Sequence, residues 1–367
     1  MTIPEVTLND GIRIPMIGLG TAKVKGSDGV RAITSALDGG YRLIDTAYNY
    51  ENEGTVGAAI RRSSVKREDL RISSKLPGRY HSYQEAVTAI QESLYRANLD
   101  YYDLYLIHWP NPKQDQYVEA WQALIDAKKW GGLIHSIGVS NFLPEHLKRL
   151  EEETGVLPSI NQIELHPFFN QEEQRKWHEQ HGIVTESWSP LFRTSEILHQ
   201  EVLQELAHKH HKSVTQIILR WHYQLGGAVS IPKSSSPERQ LENISIFDFS
   251  LGQEDMDKIA KLQGLMVVLM IRIQLFMKNF RELAGANSLN YYYLSSSDCE
   301  VFWLFFLSFS FFKSISRSLS GISSTCCGSL LLSSFDFLSI LFTLLILSND
   351  DCDFAFWKTR DLTHAVI

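Results

Sequence analysis

Short apolar runs alternate with segments of helical period along most of this chain. That alternation restricts the fold more than any other feature, because repeated strand–helix–strand units place their strands in parallel and cover the sheet with helix. A hairpin comes first, Val6 to Leu8 and Ile12 to Ile14, turned at Asn9-Asp10-Gly11, where Asp-Gly is a strong short-range turn signal. Strand-like runs follow at Met16–Leu19, Arg42–Asp45, Leu70–Lys75, Leu104–His108, Ser136–Ser140, Ile160–Leu165, Ile183–Ser187 and Ala228–Ile231. Helices are expected over Asp28–Asp38, Asn52–Ser63, Ser82–Asn98 and Gln116–Lys129, then from Pro144, after Asn170, twice within Ile197–Gln224, from Pro237 and over Gln253–Gln263. Pro144 and Pro237 suit first helical positions, and Gly39-Gly40 and Gly131-Gly132 suit helix ends.

Eight strand–helix units in roughly 250 residues predict an α/β fold of the (β/α)8, or TIM-barrel, kind with an N-terminal β-hairpin. The competing architecture is a doubly wound dinucleotide sheet, which calls for G-x-G-x-x-G straight after a strand. Here Gly18-Leu19-Gly20-Thr21-Ala22-Lys23 lacks the third glycine.

The composition breaks near Gly264. Residues 1–264 hold all eleven prolines, none of the four cysteines and six of the nineteen phenylalanines. Residues 265–367 hold no proline, every cysteine, thirteen phenylalanines and seventeen serines, so the chain reads as a barrel over 1–264 and an anomalous tail. The tail has the character of a shifted reading frame rather than of an evolved domain. Moving the frame by two bases turns Met266-Val267 into a forced glycine and Met270-Ile271 into a forced aspartate. Read as written, 330–347 is long enough to cross a bilayer, but Asp336 makes that costly, so a membrane tether is disfavoured. The net charge of −7 argues against a nucleic-acid partner. No secretory leader is legible at the N-terminus, so a cytoplasmic location is expected; the expected oligomeric state is a monomer.

Polar residues close three consecutive strands: Asp45, Lys75 and His108, with Tyr50 in the loop after Asp45. In a parallel barrel the carboxyl ends of the strands open onto the face where chemistry is done. A phenol there needs help to give up a proton near neutrality, since it ordinarily titrates near 10. An adjacent ammonium, Lys75, favours the phenolate; Asp45 can hold Lys75, and His108 can hydrogen-bond a substrate carbonyl. Each residue alone reads equally well as an ordinary strand-end polar group; four together point to proton donation. His208, His210 and His211 lie on a helix without metal-ligand spacing and read as a solvated face, so no metal is expected.

These residues sit in runs that resemble the aldo-keto reductases. The runs are Gly18-Leu19-Gly20-Thr21, Asp45 through Glu53, Ser74-Lys75-Leu76 and Leu106-Ile107-His108-Trp109-Pro110. They continue with Ile137-Gly138-Val139-Ser140-Asn141-Phe142, Asn161 through Pro167, Ser187-Trp188-Ser189-Pro190-Leu191 and Ile231-Pro232-Lys233-Ser234, followed by Arg239 and Asn243. The resemblance spans residues 6–263 and implies NADPH-dependent reduction of a carbonyl to an alcohol. It implies Tyr50 as proton donor with Asp45, Lys75 and His108 completing a catalytic tetrad. It implies that Gly20, Thr21, Asp45, Ser140, Asn141, Gln162, Ser189 and Leu191 contact the cofactor and that Trp188 stacks on the nicotinamide. Lys233, Ser234, Arg239 and Asn243 would grip the adenosine end, the two cations favouring NADPH over NADH.

Tyr50, His108 and Trp109 are the substrate-contact candidates, with rim packing as the other reading of Trp109. Tryptophan at 188 is similar to the bacterial diketogluconate-reductase branch of the family. Small aldehydes, dicarbonyls and keto-sugar acids are then the expected substrates; a non-catalytic nucleotide-binding barrel and a membrane-tethered reductase are the alternatives. Two positions depart from the family pattern: Ala22 stands where many members carry a bulky aromatic, and Phe192 replaces a usual glycine.

Overall fold

The computed structural model describes residues 3–192 and 196–263. The expectations for the tail, including the 330–347 stretch, lie outside these residues. Among the described residues no helix is long and apolar enough to cross a membrane.

The hairpin pairs β1 (Glu5–Thr7) antiparallel to β2 (Arg13–Pro15). Eight further strands form one parallel sheet: β3 (Leu19–Gly20), β4 (Leu43–Asp45), β5 (Arg71–Leu76), β6 (Tyr102–Ile107), β7 (Ile134–Ser140), β8 (Ile160–Glu164), β9 (Val184–Trp188) and β10 (Val229–Ser230). Each strand pairs with its sequence neighbour from β3 to β10. A parallel bridge between Ile17 and Ser230 then joins the two ends into a barrel.

That seam explains why the first barrel strand is shorter than the Met16–Leu19 run expected. Its early residues are spent on closure: the Ser230 amide donates to Met16 O, and the Gly18 amide donates to Ser230 O. A methyl group on Gly18 would strike the Leu43 side chain, and one on Gly20 would sit 2.7 Å from the Ile231 carbonyl oxygen. Glycine is needed at both positions for close approach to a neighbouring segment of the barrel rather than for a phosphate turn.

Helices connect the strands: α1 (Gly26–Asp38), α2 (Glu53–Arg62), α3 (Tyr83–Ala97), α4 (Tyr117–Gly131), α5 (Pro144–Thr154), α6 (Glu172–Gln180), α7 (Glu201–His210), α8 (Val214–Gln224), α9 (Pro237–Ile244) and α10 (Gln253–Ala260). Pro144 and Pro237 open their helices, and Ser213 and Ser236 cap α8 and α9 with their side chains. Ile33, Leu37, Ile44, Ile72, Tyr105, Ile107 and Val139 belong to the apolar layer formed by the sheet and its helices. A second cluster joins Leu8 and Ile14 of the hairpin region to Leu43, Leu104, Leu106, Ile160 and Val229, so the hairpin plugs the amino end of the barrel.

Three buried histidines carry a cost that appears only in acid. Burial pushes the pKa of His81 and of His178 down from 6.5 to about 4, and that of His222 to about 3. Below pH 6.5 the unfolded chain takes up protons that the folded chain refuses, so stability falls as the pH drops from 6.5 toward 4. Glu186, a buried barrel residue whose pKa burial raises from 4.5 to about 8, and Glu53, whose carboxyl pKa burial also raises, act in the opposite sense over part of this window and are outnumbered. The urea midpoint, followed by tryptophan fluorescence, is expected to decrease between pH 6.5 and 4.5 by an amount on the order of a few kcal/mol in unfolding free energy. Replacing His222 with Gln should flatten that slope.

Candidate active site

Side chains two residues apart on a strand share a face, and this period carries each inward row from an apolar floor to a polar rim. Leu43 leads to Asp45, Leu106 to His108, Ile160 to Gln162, and Val184 to Glu186. The floor residues make the plug with the hairpin; the rim residues meet at the carboxyl ends of the strands.

Lys75 is fully buried and Asp45 is 2% exposed. Lys75 Nζ donates to Asp45 Oδ1 at 2.6 Å, Asp45 Oδ2 at 2.7 Å and Thr46 O at 2.8 Å, so all three of its hydrogens have acceptors. Burial alone would drive the ammonium toward neutrality; the Asp45 charge, followed by that of Tyr50, reverses this and holds the pKa of Lys75 above its ordinary value. Thr21 supports Asp45 from the other side, its amide and its hydroxyl both donating to Asp45 O. Asn52 braces the same loop, donating to Thr21 O and Val24 O and accepting from Thr46 Oγ1.

The run Tyr48-Asn49-Tyr50 forms a single 3-10 turn after β4, and the turn separates its two tyrosines. Tyr48 faces Arg96, whose Nη2 donates to the phenol oxygen at 2.8 Å. Tyr50 faces the barrel mouth: Lys75 Nζ lies 5.2 Å from its ring centroid, and the His108 ring stands edge-on to it at 5.9 Å. His108 follows β6 and is half-buried, with Nδ1 buried and lacking a hydrogen-bond partner. Burial, with the Lys75 charge adding to it, lowers the His108 pKa to about 3. The imidazole is therefore neutral and keeps one N–H to offer. Trp109 comes next in the chain and is half-buried.

On the opposite wall, Ser140 Oγ donates to Gln162 O, and Asn141 Nδ2 donates to His108 O at 3.0 Å. Asn141 Oδ1 accepts from Trp188 Nε1 at 2.9 Å, which ties the indole at the end of β9 to the residue after β7. Gln162 Nε2 reaches across the barrel to Asp45 Oδ1 at 3.0 Å and sideways to Glu186 Oε2 at 2.6 Å. Ser189 and Phe192 have φ of 48° and 52°, and Leu191 packs on the apolar layer outside the sheet. The left-handed backbone at Phe192 is one that glycine adopts freely and an aromatic residue rarely does. Its ring is buried 4.8 Å from the ring of His166 and 5.3 Å from that of Phe168, packing that offsets the strain.

Beyond β10, Lys233 and Arg239 are exposed and Ser234 is buried, all beside the N-terminal end of α9. Ser236 caps that helix, its hydroxyl accepting from the Arg239 amide. Two cations and a helix N-terminus suit a phosphate, although Glu238 places one carboxylate in the same turn. Asn243 is buried next to the Tyr41 hydroxyl. Gly20 holds the barrel seam and Thr21 holds Asp45, so both shape the site from behind its surface.

The residues expected at the site thus gather in two groups around the carboxyl ends of the strands. Sequence reading overlooked Glu186, although a carboxylate inside the run Val184-Thr185-Glu186-Ser187-Trp188, in phase with Trp188, was the available signal.

Comparison with known proteins agrees with this geometry. The model of the aldo/keto reductase family matches residues 16–263, ending where the composition changes. The chain is 52% identical over 261 residues to 2,5-diketo-D-gluconic acid reductase B of a Corynebacterium species, covering 71% of this chain and 94% of the relative. It is 47% identical over 258 residues to methylglyoxal reductase DkgA of Salmonella typhimurium, covering 70% and 92%. A solved structure of a Gox0644 mutant in complex with NADPH superposes with a TM-score of 0.69 at 39% identity, over 72% of this chain and 95% of that one. With this match and the barrel-mouth cluster in place, the chain belongs to the aldo/keto reductase family.

Proposed function

We propose that the chain reduces aldehydes and ketones to alcohols with NADPH. The observation that carries this reading is the position of Tyr50, which faces a buried, charged Lys75–Asp45 pair on one side and a neutral His108 on the other. NADPH, when bound, would supply the hydride that the carbonyl carbon takes up. Tyr50 holds the proton that the carbonyl oxygen takes up. Lys75 eases its departure, because a cation lowers the free energy of the phenolate more than that of the phenol. Asp45 fixes the cation in place, and His108 donates its N–H to the carbonyl oxygen, orienting it toward Tyr50.

The donor set fits the cofactor. Ser140, Asn141 and Gln162 offer amide and hydroxyl groups for a carboxamide, and Trp188 offers an aromatic face. Lys233, Ser234 and Arg239 offer two charges, a hydroxyl and a helix N-terminus for a phosphate, with Asn243 behind them. Similarity to diketogluconate and methylglyoxal reductases supports small dicarbonyls and keto-sugar acids as substrates. We take the enzyme to act as a cytoplasmic monomer over residues 1–264, without nucleic acid or membrane. The net charge of −7 supports the reading without nucleic acid.

Tyr50→Phe is expected to lower kcat for methylglyoxal reduction by about 10²–10⁴-fold while NADPH affinity stays within a factor of two. Undiminished turnover would remove Tyr50 as the acid. Arg239→Ala and Lys233→Ala are each expected to raise the KM for NADPH roughly tenfold or more and to leave the KM for NADH nearly unchanged. Equal losses for the two cofactors would remove these residues from the 2′-phosphate.

A further inference from the structure

Glu186 is a fully buried carboxyl group in the wall of the barrel. It stands on β9, in register with Gln162 on β8 and Val229 on β10. Its Oε2 accepts from Gln162 Nε2 at 2.6 Å, while Oε1 is buried without a partner. The second hydrogen of the same amide goes to Asp45 Oδ1 at 3.0 Å. Both N–H groups of Gln162 are therefore claimed by carboxyl oxygens. The amide cannot flip without setting its oxygen against Asp45, whose charge Lys75 stabilises. What Gln162 has left to offer a docking group is Oε1, an acceptor.

We propose that Glu186 is a positioning residue: by taking one hydrogen of the Gln162 amide while Asp45 takes the other, it fixes Gln162 as an acceptor for the carboxamide N–H of the nicotinamide ring. This rests on the cofactor reading above. The charge balance supports it. Asp45 and Lys75 already neutralise each other, and a third buried charge would lack a counter-ion. Burial first, and then the Asp45 charge, push the Glu186 carboxyl up to about 8, so it is largely protonated at neutral pH. A protonated carboxyl has the shape of a glutamine amide and, like it, one acceptor and a donor. Glu186→Gln should preserve the arrangement, whereas Glu186→Met keeps the volume and removes the acceptor. Glu186→Asp keeps the acid and withdraws it by one methylene.

The test is NADPH affinity of the full-length chain, read from quenching of tryptophan fluorescence, together with kcat and KM for a dicarbonyl substrate. Glu186→Met and Glu186→Asp should weaken NADPH binding by roughly five- to fifty-fold, the usual effect of leaving a buried hydrogen-bonding group unpaired. Glu186→Gln should stay within about twofold of wild type, since it restores the lost acceptor. Combined with Gln162→Ala, Glu186→Met should add no further loss, because the two residues act as one unit. A merely structural role would lower the melting temperature without this selective loss and would multiply with Gln162→Ala. Normal NADPH binding by both Glu186→Met and Glu186→Asp, or multiplicative losses in the double variant, overturns the assignment. A wild-type chain that binds no NADPH overturns the reductase reading beneath it instead.

Discussion

The contact between Lys75 and Asp45 is the constraint on which the site depends. An ammonium with no exposure to solvent survives only where charge and hydrogen bonds replace its water, and Asp45 with the Thr46 carbonyl does so for all three N–H groups. Neighbouring features serve that arrangement. Thr21 holds the Asp45 carbonyl, and Asn52 ties the Thr21 and Thr46 loops together. The 3-10 turn of Tyr48–Tyr50 then presents one phenol to the cation and turns the other toward Arg96. The same buried charge helps keep His108 neutral, so one ion pair sets the state of both groups that face a carbonyl oxygen.

The barrel makes this affordable by separating an apolar floor from a polar rim along each strand. Leu43, Leu106 and Ile160 exclude water below, with the hairpin closing the base, while Asp45, His108 and Gln162 stand two residues further along the same faces. Closure draws on glycine for the same geometric reason. Gly18 lets the first strand lie against Leu43 of β4, and Gly20 lets it approach the Ile231 carbonyl after β10, which brings Lys233 beside it.

Much of this was legible in the sequence because it follows from period and punctuation. The eight strands, the hairpin turn at Asp10-Gly11 and the helix starts at Pro144 and Pro237 are local signals, and the structure realises them. Asp45, Lys75 and His108 were legible because each ends a strand-like run. Glu186 was harder to see: it lies within a strand, and its meaning comes from Gln162, 24 residues away along the chain, and through it from Asp45, 117 residues from Gln162. The tie between Trp188 and Asn141 is likewise a product of strand order. Phe192 could be recognised as unusual, but its compensation comes from His166 and Phe168, which only the folded barrel brings beneath it. The apolar run Met16–Leu19 extends before the strand Leu19–Gly20, because hydrophobic pattern does not distinguish a ladder from a barrel seam.

The central claim is that the buried cation favours ionisation of Tyr50, whose ring centroid lies 5.2 Å from Lys75 Nζ. The most direct measurement is titration of Tyr50 by NMR, with tyrosines labelled at Cζ and the resonance assigned from its loss in Tyr50→Phe. The titration is run on wild type and on a variant combining Asp45→Asn with Lys75→Met, which removes the pair without leaving one charge buried alone. Tyr50 should ionise at lower pH in wild type than in the paired variant. Coincident titrations in two folded proteins would contradict the role given to Lys75.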